Sequence, residues 1–381
     1  MGNSLPAVPP KVKLTTPAFP ERPDDPLTPD TKLQEALDKA WANAAGKRKQ
    51  LKEVGIAIAD ITEAAPHPFA HHKGDVVYYA ASTAKISALH GIYQLRATLR
   101  LIAEELGAGI SKGELLKVAG KHLKSQIKAA LAKLPALKHA STEEAYPKYT
   151  KGFQVVKSDE WNGFTVEFAK SYAPSPDEPS PGNEPVGHIE KMIVVSNNHS
   201  AGACVHACGL GFMNGAMEAA GCFEPKTGRN GVGVWLGADY IKSGDENYEN
   251  YSIKKGDGST TAMGSSPLHM VKLLALLDDN RLFDGNPESN EGMLAALAKC
   301  ASYPEVWITR ADEEYVTYVV THNKLGVAQS QYSEATLLDH PASGKRFALA
   351  WFNMRWGDEA FDELDAIAMA VRDTIDAYTS T

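Results

Sequence analysis

The stretch Val76-Val77-Tyr78-Tyr79-Ala80-Ala81-Ser82-Thr83-Ala84-Lys85 reads as a short strand that runs directly into a helix. The β-branched and aromatic residues favour extended backbone, and a long helical pattern begins at about residue 82. Ser82 and Lys85 are three residues apart, so on a helix their side chains share one face. At the first turn the helix dipole favours negative charge on the Ser oxygen. A Lys shielded from water and near another cation can lose its proton and act as a base. A Ser in this place is also an ordinary N-terminal cap, so the tetrad alone leaves both readings open. Two further Ser-x-x-Lys tetrads lack the junction: Ser125 to Lys128 lies on a Lys-rich, solvated helix face, and Ser252 to Lys255 in a polar loop.

Upstream of this junction, Leu33, Ala36, Leu37, Ala40 and Trp41 recur at helical spacing, and Val54 to Ile61 alternates as a strand. His67, His71 and His72 fall in the turn-rich stretch that follows and read as a solvated hairpin tip. Residues 1 to about 30 carry eight prolines and almost no apolar period, which predicts an extended tether outside the core. Downstream, helical patterns run over about 82 to 106, 112 to 134, 187 to 221 and 265 to 300. Polar, irregular stretches at about 140 to 186 and 222 to 264 separate them. Strands return at Tyr315 to Thr321, Ser330 to Leu338 and Arg346 to Phe352, and a helix over about Asp358 to Ala377 closes the chain.

Strands from both ends with helices inserted between them predict an α+β fold: an antiparallel sheet built from both chain ends plus an inserted all-helical lobe. The expected layout is a tether at 1–30 and one domain at 31–381. Its α/β lobe takes 31–80 and 302–381, and its helical lobe takes 81–301. A cleft between lobes is the natural place for a site.

Two more motifs follow in order. Ser196-Asn197-Asn198 is the chain's only Ser-x-Asn and stands between two apolar helical segments; Lys324-Leu325-Gly326 follows strand-forming residues. With Ser82-Thr83-Ala84-Lys85, this ordered set resembles the penicillin-recognising serine hydrolases, the class A β-lactamases and D,D-peptidases or penicillin-binding proteins. Lys226-Thr227-Gly228 matches the family's third motif letter for letter, but it follows a helix in a Gly-rich loop. The family's motif belongs on a core strand followed by two more strands and a helix, which favours Lys324.

The resemblance covers about 31 to 381 and implies roles residue by residue. Ser82 is the expected nucleophile and Lys85 its general base. Ser196 relays a proton to the leaving group, and Lys324 places positive charge beside it, lowering the pKa of Lys85 and attracting an anionic substrate group. Asn198, Gly326 and Val327 are the expected substrate-binding positions. Asn198 also holds Lys85, and the backbone N–H groups of Ser82 and Val327 form an oxyanion hole. The implied function is a serine hydrolase that forms an acyl-enzyme with a small amide, β-lactam or ester, such as a peptidoglycan fragment presents. The alternatives are an esterase or peptidase with little β-lactam activity, or a non-catalytic binding protein on the same fold.

Three departures bear on substrate. Leu325 stands where the family has a Thr or Ser that binds a substrate carboxylate. No Glu-x-x-Leu-Asn pattern lies between Gly221 and Met263 to supply the deacylating Glu of class A enzymes; Asp239, Glu246 and Glu249 read as solvated loop charges. The interval from Ser82 to Ser196 is also long, and its surplus at about 140 to 186 is expected to narrow the cleft mouth or to be a surface decoration. In the first case Tyr146, Tyr149, Trp161 or Phe164 would contact substrate.

Composition bounds the rest. The 381 residues are 43% hydrophobic and 23% charged with a net charge of −8, so a phosphate-tracking surface and a nucleic-acid partner are not expected. No apolar run reaches membrane-span length. Four cysteines are too few for a disulfide framework, and Cys204-Val205-His206-Ala207-Cys208 reads as buried thiols rather than a zinc site. The sequence calls for no cofactor or metal. No secretory signal pattern opens the chain, whereas the family resemblance favours an extracytoplasmic location.

Overall fold

The computed structural model describes residues 13–138, 140–175, 185–228, 230–238, 240, 251–283, 286–302, 317–328, 331–355 and 360–380. Strand β1 (Leu27–Pro29) precedes helix α1 (Thr31–Lys47), which starts where the Asp30 carboxylate accepts from Leu33 N at 2.7 Å. Next come β2 (Gly55–Asp60), β3 (His67–His72) and β4 (Tyr78–Tyr79), then a 3₁₀ turn at Ala81–Ala84 that feeds α2 (Lys85–Leu106). The helical lobe continues with α3 (Lys112–Lys133), α4 (Thr142–Ala145) and α5 (Tyr149–Gly152), the hairpin β5 (Phe153–Lys157) and β6 (Phe164–Phe168), and α6 (His188–Ile193). Helices α7 (Asn198–Cys208) and α8 (Leu210–Ala219) lead to the short strands β7 (Phe223–Pro225), β8 (Gly231–Gly233) and β9 (Trp235–Leu236). The chain then forms β10 (Ile253–Lys254), β11 (Thr260–Thr261) and β12 (Met263–Ser265), followed by α9 (Pro267–Asp278) and α10 (Pro287–Ser302). It returns through β13 (Val319–Ala328), β14 (Gln331–His340) and β15 (Lys345–Arg355) to α11 (Ala360–Thr379).

The main sheet runs β1-β3-β2-β15-β14-β13 and is antiparallel except for the β1–β3 pair. Both faces of its middle are covered, so all six residues of β2 are buried. The period of two assigns a different job to each face. Ile56, Ile58, Phe347, Leu349 and Trp351 pack with Leu37, Trp41, Ile367 and Val371 of the two terminal helices. Ala57, Ala59, Ala348 and Ala350 face the other way, into the larger core shared with the helical lobe. Small residues there let α9 lie close against β2 and β15.

Helix α2 is the axis of the helical lobe. Every residue from Lys85 to Leu99 is buried, as expected of a helix surrounded by other helices. Together with the sheet, this confirms the α+β architecture read from the sequence, with β13, β14 and β15 supplied by the C-terminal end. The proposed strand start at Tyr315 and Val316 lies outside the described residues.

Three segments differ from the sequence reading. His67 to His72 is no solvated tip: it is β3, inside the main sheet, with His67 buried against Asp279 at 3.0 Å. Residues 13 to 30 are extended but not outside the core. Ala18 is fully buried, Phe19 packs against Phe212 with ring centroids 5.1 Å apart, and the backbone and hydroxyls of Thr15 and Thr16 all donate to the Glu105 carboxylate. Burial works against the charge on Glu105, yet these bonds outweigh it and hold its pKa at about 2.

In the 140 to 186 stretch the hairpin buttresses α2 away from the cleft, while Tyr172 and Ser175 pack on α7 and α6, the helices that flank Ser196. The hairpin brings Phe168 to Tyr93 at 5.1 Å and Glu167 to Arg100. Those α2 residues lie roughly 12 to 22 Å along the helix from Lys85 at 1.5 Å per residue. Tyr146 faces Lys124 and Tyr149 faces Gly120, both on α3.

Leu349→Ala should cost about 2 to 5 kcal/mol, read as a lower denaturant midpoint with an unchanged slope. In Glu105→Ala, amide exchange should accelerate at residues 13–19 while β14 and β15 keep their protection, because only the four anchoring bonds are lost.

Candidate active site

Ser82 sits in the 3₁₀ turn between β4 and α2, half-exposed at the end of the buried helix. Ala81 before it has φ +48°, a strained value for a residue with a Cβ. The turn is pinned on both sides. Ala80 N donates to Met263 O at 2.9 Å, and Ser333 Oγ on β14 donates to Ala80 O at 2.8 Å.

Strand β13 lies against this turn, and Gly326 is what permits the approach. A Cβ there would stand 2.5 Å from Ala80 O and 2.2 Å from Ser333 Oγ, closer than any carbon can sit. The glycine of the Lys-x-Gly motif is therefore a steric requirement. It brings the N-terminal half of the site, carried by β4 and α2, onto the C-terminal half, carried by β13.

Lys85 is fully buried. Its Nζ donates to Ser196 O at 2.6 Å and to Asn198 Oδ1 at 2.7 Å, and shares a hydrogen bond with Ser196 Oγ at 3.1 Å. From β13, Lys324 Nζ reaches the same hydroxyl at 3.2 Å and also donates to Leu325 O at 3.0 Å. Ser196 lies between α6 and α7 with φ +53°, a conformation that aims both its carbonyl and its hydroxyl at Lys85. Asn197 caps α7 by accepting from Ser200 N at 2.8 Å, which leaves Asn198 at the first helical position facing the cleft. Burial disfavours the Lys85 cation, and the charge of Lys324 repels it; together they bring its pKa down from 10.5 to about 6.

The structure thus gathers Ser196 and Asn198 on Lys85 and brings Lys324 to the same Ser196 hydroxyl, with Ser82 and Gly326 adjoining on the turn and on β13. Among the described residues no hydrogen bond engages the Ser82 hydroxyl. Val327 is 44% exposed one step along β13, and Leu325 is half-buried on that strand. The decoy Lys226 to Gly228 lies in the exposed turn between β7 and β8, where Lys226 N bonds Asn230 O.

Sequence reasoning missed Tyr240. Its ring packs against Lys85 Nζ at 5.1 Å, its hydroxyl donates to Met263 Sδ at 3.0 Å, and its φ is +55°. The only sequence signal was an aromatic residue in the stretch searched for a carboxylate. Asp239, Glu246 and Glu249 lie outside the described residues.

No cluster of three or more metal-ligating side chains occurs among the described residues. Cys204, Cys208, Cys222 and Cys300 are buried free thiols; burial pushes Cys204 and Cys208 far up and Cys222 up to about 12. No helix of the described residues is long and apolar enough to cross a membrane.

No family model and no curated protein sequence matches the chain. Solved structures do. A class A β-lactamase from Bacteroides cellulosilyticus DSM 14838 is similar over 92% of this chain and 100% of its own, at 12% identity and a TM-score of 0.52. A β-lactamase from Chitinophaga pinensis DSM 2588 aligns over 91% of this chain and 99% of its own, at 13% identity and a TM-score of 0.49. A mutant of PBP-A, in an acyl-enzyme complex with penicillin G, aligns over 93% and 99% at 12% identity and a TM-score of 0.47. The chain has a β-lactamase/transpeptidase-like fold.

Proposed function

We propose that this protein is a serine acyl-transfer hydrolase in which Ser82 attacks the carbonyl of a small amide, lactam or ester and becomes acylated. The observation that carries the reading is Lys85: a fully buried lysine, three residues after a half-exposed serine, with its pKa lowered to about 6. Near neutral pH it is an amine with a lone pair, the form a general base requires.

Ser82 Oγ forms the new C–O bond as its proton passes to Lys85. Charge developing on the carbonyl oxygen is met by the backbone N–H groups of Ser82 and Val327, an arrangement typically worth about 3 to 4 kcal/mol per donor. The proton then travels from Lys85 to Ser196 Oγ along the 3.1 Å contact, and the hydroxyl proton of Ser196 moves to the leaving nitrogen or oxygen. Lys324, 3.2 Å from the same oxygen, favours this transfer and attracts an anionic substrate group. Asn198 holds Lys85 in place through its side-chain oxygen.

One observation favours an ester or peptide over rapid β-lactam turnover: Leu325 has no hydroxyl to offer a substrate carboxylate, a donor typically worth about 1.5 to 3 kcal/mol.

Intact-mass analysis after treatment with a fluorophosphonate, an activated ester and a fluorescent penicillin should show one adduct, lost in Ser82→Ala. A penicillin adduct, where formed, should persist for many minutes. No adduct with any of the three probes would favour a non-catalytic binding protein on this fold.

The acylation rate should rise with pH through about 6 and level off above it, because Lys85 is protonated and inactive below that value. Lys324→Ala removes the neighbouring positive charge, so the Lys85 pKa rises and the acid limb moves to higher pH. Lys85→Met should lower the plateau by about 10²- to 10⁴-fold.

A further inference from the structure

Between Lys112 and Lys151 the chain carries nine Lys and three Glu, a strongly basic stretch in a protein whose net charge is −8. The whole-chain sum conceals this concentration. Four of these lysines, Lys112, Lys117, Lys148 and Lys151, border a groove of about 830 Å³ between α3 and the start of β5. Lys148 pairs with Glu143 at 3.0 Å; Lys112, Lys117 and Lys151 are exposed. The floor is apolar, with Leu116, Pro147 and Tyr149 half-buried or buried beneath the charges.

One side of the groove is backbone. Phe153, Gln154 and Val155 follow one another on β5, and all three border the space. Side chains alternate faces along a strand, so three consecutive residues meet one space only along the strand's edge. Among the described residues β5 pairs with β6 alone, which leaves its other edge toward the groove.

From this juxtaposition we infer that the groove binds an extended acidic peptide, which adds as a strand to β5 with its carboxylates on the flanking lysines. Backbone hydrogen bonds would supply affinity, and charge would select the sequence. A bare polyanion would use the lysines but neither the strand edge nor the apolar floor. Lysine is suited to this job, because each ammonium is a mobile point charge that follows a carboxylate without demanding bidentate geometry. None of the residues that border the groove belongs to the Ser82 site: its Lys112 end lies roughly 30 Å along α2 from Lys85, and its β5 side, where Phe153 meets Phe168 and Phe168 meets Tyr93, about 12 Å. The inference therefore stands independently of the acylation chemistry.

The test uses the full chain and a labelled ten-residue peptide of alternating Glu and Val, followed by fluorescence anisotropy at low and high salt. Binding should weaken at least tenfold in the triple variant Lys112→Glu, Lys117→Glu, Lys151→Glu, and equally when alternate peptide nitrogens are methylated. Thermal unfolding and Ser82 acylation, which should be unchanged, verify that the variant is folded. In the unmodified protein the peptide should also slow amide exchange in β5, a measurement that needs no variant. Absence of binding, undiminished binding of the N-methylated peptide, or equal binding of inorganic polyphosphate or of vesicles rich in anionic lipid would each overturn the proposal.

Discussion

The burial of Lys85 is the constraint around which the rest is organised. An unpartnered polar group inside a core is costly, so the chain brings acceptors to Lys85 from one distant segment, while a second cation from another shifts it toward the neutral amine. Ser196 and Asn198 arrive from the junction of α6 and α7, and Lys324 from β13. Those elements hold their places because α2 is packed on all sides and because Gly326 lets β13 touch the turn that carries Ser82. The two-lobed design follows: helices supply the lysine and its acceptors, and the sheet edge supplies the opposing charge.

Backbone strain concentrates at the same place. Ala81, Ser196 and Tyr240 all have positive φ without being glycine, and all three lie at or beside the contacts of Lys85. Such conformations persist only where surrounding structure over-determines them. Here the restraints are visible: Ala80 is tied to β12 and β14, and Ser196 is tied to Lys85 through both of its oxygens. A strained turn on a rigid helix aims a side chain more reliably than a free loop would.

How much was legible in the sequence depends on the range of the signal. The strand-to-helix junction at Tyr79 to Lys85 is local, and Ser196, Asn198 and Lys324 were readable because motif order restricts their pairing. β3 was missed because His67-Pro68-Phe69-Ala70-His71-His72 mixes ring-bearing residues with a proline and shows no clean alternation; its burial comes from β1, β2, α1 and α9. The N-terminal segment was misread for a related reason. Proline content predicts extension correctly, but not that Glu105, Gln126 and Phe212 wait to receive that extended chain. Tyr240 carried no motif at all: its contact with Lys85 follows from where the ring lands.

Tyr240 also raises a question of balance that magnitudes settle. A ring face attracts a cation, typically by about 0.5 to 2 kcal/mol, and so opposes deprotonation of the lysine it touches. Lowering the Lys85 pKa from 10.5 to about 6 corresponds to roughly 6 kcal/mol against the charged form. Burial and Lys324 therefore prevail over the ring, and the amine is neutral despite its aromatic neighbour. In the acylation proposed above the ring would still moderate the outcome, because it would lower the cost of the moment at which Lys85 holds the proton from Ser82. A carboxylate in its place would pair with the ammonium and raise its pKa; an aliphatic side chain would do nothing for the transient cation. An aromatic residue leaves the amine basic enough to accept a proton and neutral enough to be ready for one.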